Sequence, residues 1–177
     1  MSGAKDYAEA LFSLSEELSI TDKVLSDVDV CRSVLEKNPE YAKLTDTPAL
    51  TVTEKLSLID SAFFAVDETV KNLIKILCEK HSVHIFPKIA KEYREIYDET
   101  RGICRAEVIS ATALSDKHMS SLKRKLEQMT GKTIVIRNTV DKSILGGIKL
   151  RYMGKQLDGS LRARLDAIES GLKSTVL

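Results

Sequence analysis

The spacing of apolar residues changes once along this chain, near residue 102, and that change constrains the fold more than any other feature. Before it, apolar residues recur about every 3.6 positions, as Val24, Val28 and Leu35 do on one side of a helix. After it, positions 104–108 alternate between apolar and polar residues, which is the two-residue period of a half-buried strand. The pattern therefore predicts a helical region followed by a region that contains a sheet.

Local signals in the first part of the chain predict where helices begin and end. Thr51 followed by Glu54 has the pattern of a capping box, and Asp67 is a further capping side chain. Gly102 closes the last of these helices. Residues 1–102 are therefore predicted to form an N-terminal six-helix bundle.

Residues 103–177 are predicted to form a small α+β domain in the order β-α-β-β-α. Ser115 caps and Gly131 ends the helix between the first two strands. Asp158 is predicted to cap a last helix. The apolar stripe of that helix is Leu161, Leu165, Ile168 and Leu172. The predicted fold class is thus mainly α, a helical bundle followed by this α+β domain.

The first helix carries a wider apolar arc than one core contact requires. The predicted core face consists of Tyr7, Leu11, Leu14 and Leu18. Ala8 and Phe12 lie on the shoulder of this stripe. Two interpretations stay open: these two residues belong to the core of a bundle in which the helix is central, or they line a groove for a partner helix.

The charge of the chain is nearly balanced overall but divided along its length. A formal charge of +1 excludes a general attraction to nucleic acid or anionic lipid. Residues 1–105 hold 14 basic and 19 acidic side chains, a balance of −5, whereas residues 106–177 hold 13 and 7, a balance of +6. Two regions of opposite sign predict two different partners, or two domains that attract each other.

Cysteine usage and the chain start indicate a compartment. Cys31, Cys78 and Cys104 are odd in number and widely spaced, so a disulfide framework is not expected and a reducing cytoplasm is favoured. The N-terminus has the features of neither a signal peptide nor a transit peptide, which favours a bacterial source. The longest wholly apolar run, residues 62–66, is far shorter than the roughly 20 residues that span a bilayer.

One triplet, Gly131-Lys132-Thr133, resembles the end of a phosphate-binding loop. Such a loop needs a glycine five residues before the second one, and that position is Leu126. The triplet also follows a helix and precedes a strand, the reverse of the order that the loop requires. We therefore interpret it as a helix C-cap.

Cys78, His81 and His84 are spaced so that a continuous helix would bring them to one side. A zinc site needs a fourth ligand, and nothing near them in sequence supplies it, so a polar helix end with one buried thiol is favoured. His118 is predicted to lie on the exposed side of its helix. No histidine accompanies a serine or cysteine in a nucleophile motif, so a hydrolytic triad has no support.

Basic residues cluster in the second half of the chain. They are Lys123, Arg124, Lys125, Arg162 and Arg164. A solvated helix face, a docking surface for an acidic protein segment, and an RNA-binding surface are the three interpretations. RNA binding is the least favoured of these, because Tyr152 is the one strand aromatic suited to base stacking.

Several motifs together resemble a known family. The segments Gly146 to Arg151 and Asp158 to Leu165, with the sequences GGIKLR and DGSLRARL, resemble the C-terminal signature of the delta subunit of bacterial and chloroplast ATP synthase, called OSCP in mitochondria. The segments Val108 to Leu114 and Tyr7 to Phe12 resemble the same family. The resemblance extends over essentially the whole chain, with one departure at residues 79–84.

This resemblance implies a connector rather than an enzyme, with no catalytic residue, cofactor, metal or small-molecule substrate. It implies a subunit of the peripheral stalk, or stator, that links the catalytic head of proton-translocating ATP synthase to the membrane-anchored b subunits. It also implies a peripheral location at the cytoplasmic face of the inner membrane, reached through the complex. Residues 1–102 would dock on the head and residues 103–177 on the b subunits.

The family's binding surfaces carry over to particular residues of this chain. A groove between the first and fifth helices would hold the N-terminal helical segment of an alpha subunit, lined by Tyr7, Ala8, Leu11, Phe12, Leu73, Ile74 and Leu77. The b subunits would meet Lys123, Arg124, Arg162 and Arg164. Two rival classes are a nucleic-acid-binding module that uses the basic second region, and a small enzyme, for which no convergent polar cluster is found.

Overall fold

The computed structural model describes residues 3–47, 50–144, 146–152 and 154–159 of the chain. Six helices come first: α1 (Ala4–Glu17), α2 (Thr21–Lys37), α3 (Pro39–Asp46), α4 (Val52–Ala62), α5 (Glu68–Glu79) and α6 (Phe86–Thr100). A single 3₁₀ turn, Val83–Ile85, precedes α6. The later elements are β1 (Ile103–Ser110), α7 (Asp116–Thr130), β2 (Thr133–Val140), β3 (Ile148–Tyr152) and β4 (Lys155–Asp158). The prediction of a mainly helical chain with a small sheet toward its C-terminus is confirmed; that the first helices form a single six-helix bundle stays a prediction.

Contacts divide the chain into two compact units, Met1–Thr100 and Arg101–Leu177. The core of the first unit follows the stripe predicted for α2 and a second set of apolar residues at the helical period in α5. Its members there are Val24, Val28, Cys31, Leu35, Val70, Leu73, Ile74 and Leu77, all buried. Because these side chains recur at the helical period, each helix buries one continuous face against its neighbours.

Two predicted helix starts are confirmed in atomic detail. The Thr51 N–H donates to Glu54 Oε2 at 2.9 Å, and the Glu54 N–H donates to Thr51 Oγ1 at 3.4 Å. The carboxylate of Asp67 accepts from the Thr69 N–H at 3.0 Å. These bonds satisfy amides that have no partner within their own helices.

Helical spacing after the Thr51 cap predicts a buried stripe of Val52, Leu56, Ile59 and Phe63 in α4, and this prediction is only partly correct. Ile59 and Phe63 are buried, but Val52 is 55% exposed and Lys55 is 3% exposed. The helix packs so that the face carrying Lys55 and Ile59, one turn apart, meets the rest of the unit, while Val52 at the first turn points away. A buried lysine cannot be predicted from a hydrophobic pattern, because lysine is rarely buried.

The second unit is a four-stranded sheet in the order β2-β1-β3-β4 with α7 on one face. β1 pairs in parallel with β2 and antiparallel with β3, with Val108 opposite Asn138 and Leu150. Alternate β1 residues from Cys104 to Ser110 are buried, as the two-residue period predicts, and Leu126 of α7 packs against them.

The predicted order β-α-β-β-α needs a correction, because a fourth strand follows the third. Asp158, which we predicted to cap a helix, is the last residue of β4 and pairs with Lys149. The chain turns into β4 at Gly154, whose φ of +71° is a conformation that favours glycine. All four residues of β4 are exposed, so the strand has no alternating pattern that sequence could show. The predicted last helix lies outside the described residues.

Candidate binding surfaces

The face of α1 that packs into the core is centred on Ala8, Phe12 and Ser15. Ala8 and Ser15 are fully buried and Phe12 is 7% exposed. The Phe12 ring meets the Tyr93 ring edge-on, with 5.7 Å between centroids, and the Ser15 and Tyr93 hydroxyl oxygens lie 2.9 Å apart. Burial raises the pKa of Tyr93. Of the two interpretations of Ala8 and Phe12, the structure supports a place in the core.

The predicted core stripe of α1 is wrong at two of its four positions. Leu14 is 43% exposed and Leu18 is 54% exposed. The apolar arc of this helix is wide enough to be buried along either edge, and its contact with α6 buries the Ala8 edge. Leu14 and Leu18 therefore lie on the outer edge, on the same side as the half-buried Tyr7.

α5 presents a matching exposed side chain. Ile76 is 44% exposed, although Leu73 and Leu77 of the same helix are core residues. One turn later, the Lys80 ammonium donates to the Tyr7 hydroxyl at 3.0 Å and lies 5.4 Å from the centre of its ring. Since Ile76 and Lys80 share a side of the helix, Ile76 lies on the side that faces α1.

The two helices run antiparallel. Lys80 at the end of α5 meets Tyr7 near the start of α1, whereas Asp67 at the start of α5 binds Lys23 at 2.7 Å, just beyond the end of α1. At 1.5 Å of rise per residue, Leu14 lies roughly 10 Å farther along α1 than Tyr7 does. Because the two helices are antiparallel, this position on α1 is close to Leu73 of α5. We use the name α1–α5 edge for three exposed apolar side chains of this helix pair: Leu14 and Leu18, at the end of α1, and Ile76 of α5.

The residues predicted to line a groove are mostly buried. Tyr7 is half-buried, and the other six are core residues: Ala8, Leu11, Phe12, Leu73, Ile74 and Leu77. They lie beneath the α1–α5 edge rather than on it. Sequence reasoning missed Leu14, Leu18 and Ile76 as surface residues, although the excess width of the apolar arc of α1 was a signal that one of its edges is free.

Polar contacts hold the start of α5 in place. Besides Lys23, the Asp67 backbone N–H donates to Asp27 of α2 at 2.9 Å. The hydrogen bond from Lys23, together with that from the Thr69 amide, lowers the pKa of Asp67 to about 2. The ion pair and the helix cap thus share one carboxylate.

The three residues considered as metal ligands face the end of α3 instead of one another. The Cys78 thiol donates to the Thr45 carbonyl at 3.5 Å, His81 Nδ1 lies 3.0 Å from the Asp46 carbonyl oxygen, and His84 Nδ1 lies 2.7 Å from Asp46 Oδ2. Within the described residues, no three His, Cys, Asp or Glu side chains are arranged to hold a metal ion. The arrangement ties α3 to the connection between α5 and α6.

The described residues of the basic cluster lie on the outer face of α7. Lys123, Arg124 and Lys125 are exposed, and Lys123 forms an ion pair with Glu127 at 3.8 Å. Arg162 and Arg164 lie outside the described residues. On the sheet face that α7 does not cover, Arg151 forms an ion pair with Glu107 at 3.5 Å.

The two remaining motifs have local structural roles. Gly131 ends α7 with a φ of +68°, and its N–H donates to the Glu127 carbonyl at 2.9 Å. The predicted C-cap is thereby confirmed. His118 is exposed, and its Nδ1 lies 3.1 Å from the Ser115 hydroxyl that caps the same helix. In the part of the chain that the structure describes, no helix has the length and apolar character needed to cross a membrane.

Comparison with known proteins gives a consistent result over nearly the whole chain. The family model described as "ATP synthase delta (OSCP) subunit" matches residues 4–172. Proteins named ATP synthase subunit delta from Priestia megaterium and Clostridioides difficile are 34% and 30% identical; the matches cover 96% and 98% of this chain and 94% and 97% of theirs. A chain in the structure of the Toxoplasma gondii mitochondrial ATP synthase hexamer matches with a TM-score of 0.73 at 20% identity, over 97% of this chain and 98% of its own. That likeness concerns the fold.

Proposed function

This chain belongs to the ATP synthase delta (OSCP) subunit family, and from that premise we propose that it is a connector in the peripheral stalk of a proton-translocating ATP synthase. It links the catalytic head to the membrane-anchored b subunits and holds the head still while the rotor turns. It performs no chemistry of its own. It is associated with the cytoplasmic face of the inner membrane only through the complex, and a bacterial source is in keeping with the relatives.

The first unit carries the proposed contact with the head. The observation that supports this contact is the α1–α5 edge, where Leu14, Leu18 and Ile76 are each between 43% and 54% exposed. An amphipathic helix that lies between α1 and α5 would cover these side chains with its own apolar face. We assign the N-terminal helical segment of an alpha subunit to this position.

The buried residues beneath the edge have a supporting role in this proposal. Phe12 of α1 packs on Tyr93 of α6, and Leu77 of α5 is fully buried, so both helices are anchored in the core of the unit. Tyr7 and Lys80 close one end of the edge through their mutual contact. A rigid edge suits a connector under torque, because a close-packed interior resists deformation.

The second unit carries the proposed contact with the b subunits. Lys123 and Arg124, on the exposed face of α7, are the described residues that support it, and Arg162 and Arg164 are the further residues that we assign to it. A basic surface binds an acidic partner in a way that salt weakens.

A titration with the alpha-subunit segment tests the first contact. The full chain, as wild type and as the double variant Leu14→Ser with Ile76→Ser, is titrated with a fluorescent peptide of that segment, and anisotropy is measured. Replacing two apolar side chains at the centre of such an interface is expected to weaken binding on the order of 100-fold.

Met129→Ser is the matched control, because Met129 is 70% exposed but belongs to the second unit. Its affinity for the peptide is expected to equal that of the wild type. If the double variant binds within about twofold of wild type while its circular dichroism is unchanged, the α1–α5 edge is not the site.

A further inference from the structure

A second feature of the first unit has no part in the proposed connector role. A cavity of about 250 Å³ lies where α4 begins and α5 ends. Its lining includes Thr51, Val52, Lys55, Cys78, Glu79 and His81. The cavity therefore combines a helix N-terminus with a buried lysine and an imidazole, both of which favour anions.

Lys55 is the unusual member of this lining. Its side chain belongs to the buried face of α4 and is only 3% exposed. Removing an ammonium group from water is unfavourable unless an anion or several hydrogen-bond acceptors replace the water. The buried ammonium of Lys55 therefore requires such a partner.

The hydrogen-bond partner found for the Lys55 ammonium is His81 Nδ1, at 3.4 Å. An imidazole ring carries no negative charge, and the same nitrogen lies 3.0 Å from the Asp46 carbonyl oxygen. Within the described residues, Lys55 forms no ion pair with a carboxylate. Lys71, also buried, differs in this respect, because its ammonium is paired with Glu68.

Carbonyl groups at the end of α5 have partners of their own. The Ser82 N–H donates to the Leu77 carbonyl at 2.8 Å, and the His81 N–H donates to the Cys78 carbonyl at 3.1 Å. His81 makes this turn with a φ of +51°, in the left-handed conformation that closes many helices. The backbone thus satisfies these two acceptors without Lys55.

Three nearby carboxylates do not neutralise Lys55 either. That of Asp46 accepts from the Val83 amide at 2.8 Å and lies 2.7 Å from His84 Nδ1. Glu54 accepts from both the amide and the hydroxyl of Thr51, at 2.9 and 2.7 Å. Glu79 lines the cavity but is exposed to solvent, and its carboxylate is not within ion-pair distance of the ammonium. The positive charge of Lys55 is therefore left facing a cavity that can admit a ligand.

We propose that this cavity is a binding site for a small oxyanion, a phosphate, sulfate or carboxylate group, held by Lys55 and His81. The Glu54 amide is already bound by the Thr51 hydroxyl, so the Val52 amide, which has no acceptor within the helix and belongs to a residue of the cavity lining, is the further donor to the same ligand. A tetrahedral oxyanion and a few waters, each occupying about 30 Å³, fit the available volume. The bound anion joins the start of α4 to the end of α5 and stabilises the first unit.

Thermal unfolding of the full chain in different anions tests this site. Circular dichroism is followed at constant ionic strength while sodium chloride is replaced by sodium phosphate, sodium sulfate or sodium acetate. Because a ligand that binds only the folded state raises the unfolding temperature, the wild type is expected to gain roughly 3 °C in at least one of the three. The anion that acts distinguishes a tetrahedral oxyanion from a carboxylate.

Lys55→Met keeps most of the side-chain volume and removes the charge, so its unfolding temperature is expected not to change with the anion. Lys71→Met is the matched control, a buried lysine outside the cavity, and is expected to respond as the wild type does. An equal rise in Lys55→Met, or no rise in the wild type, would overturn the proposal. If Lys55→Met does not fold, His81→Asn, which tolerates the same backbone conformation, must lose at least half of the rise; an undiminished rise overturns it.

Discussion

The two units of this chain are built to present different surfaces. The first unit has a large core, to which α1 contributes Ala8, Leu11 and Phe12, and it leaves apolar side chains exposed at the α1–α5 edge. The second unit has a small core between α7 and one face of a sheet, and the outer face of α7 carries the exposed basic residues Lys123, Arg124 and Lys125. A helix that packs on one side leaves its other side exposed. A sheet that is covered on one face exposes the alternating polar residues of its other face.

This difference teaches that two kinds of interface can be expected from one nearly neutral chain. An apolar edge binds through surface removed from water, which salt affects little. A basic face binds through charges, which salt screens within about 10 Å at 0.1 M. In the sequence, the basic face corresponds to the charge balance of +6 in residues 106–177, whereas residues 1–105 have a balance of −5.

The largest expected effect separates core from surface within the first unit. Phe12→Ala removes a ring that is 7% exposed and packed on Tyr93, so it is expected to destabilise the unit by about 3–5 kcal/mol. Urea unfolding followed by circular dichroism measures the change. If the unfolding free energy falls by less than about 1 kcal/mol while the alpha-subunit peptide binds more weakly, Phe12 belongs to the interface and not to the core.

The next effect compares the salt dependence of the two surfaces. Lys123→Glu with Arg124→Glu is expected to weaken binding of a soluble b-subunit fragment by about tenfold at low salt, and by much less at 0.5 M salt. Lys37→Glu, a charge reversal at the end of α2, is the control and is expected to have little effect. Equal loss at all salt concentrations would show that the basic face does not bind through charge.

A smaller effect compares one helix cap from each unit. Thr51→Ala removes the hydroxyl that accepts from the Glu54 amide and donates to Glu54 Oε2, and it is expected to cost about 1 kcal/mol. Ser115→Ala removes a long bond of 3.5 Å from the His118 amide and an exposed contact of 3.1 Å with His118 Nδ1, and it is expected to cost about half as much. Urea unfolding of the two variants checks the order, and the reverse order would contradict the assignment of a reciprocal cap to Thr51.

The smallest expected effect is a change in the stability of the fold at acidic pH. The pKa of Asp67 is about 2 in the folded chain and 3.8 in its ordinary range, so its contribution to stability is complete above about pH 4 and is lost as pH falls toward 2. Asp67→Asn is expected to remove that part of the acid sensitivity. Urea midpoints measured between pH 5 and pH 2.5 show this as a flatter curve for the variant, and parallel curves would contradict it.

Much of the fold could be predicted from the sequence because periodicity and capping residues act locally. The buried stripe of α2, the capping box at Thr51 and the αL glycine at Gly131 all follow from neighbouring residues. The strand β4 could not be predicted, since exposed edge residues show no alternation. Its pairing with β3 depends on the turn at Gly154 and on the ladder that β3 offers.

The candidate surfaces were harder to predict than the fold because a wide apolar arc does not say which edge is buried. Phe12 is buried and Leu14 is exposed because α1 packs against α6. This packing is a tertiary contact, which the sequence of α1 alone does not specify. The burial of Lys55 has the same origin, since the packing of α4 against α5 turns that side chain inward. Such choices depend on how helices meet, and no single helix encodes them.

The connector role is tested most directly by asking whether one molecule binds both partners at once. Sedimentation velocity of the full chain with a labelled alpha-subunit peptide and a soluble b-subunit fragment measures this. The expected result is a single species that contains all three components, and Leu14→Ser with Ile76→Ser releases only the peptide. If the two partners displace each other, or if either fails to bind the wild type, the chain does not connect them.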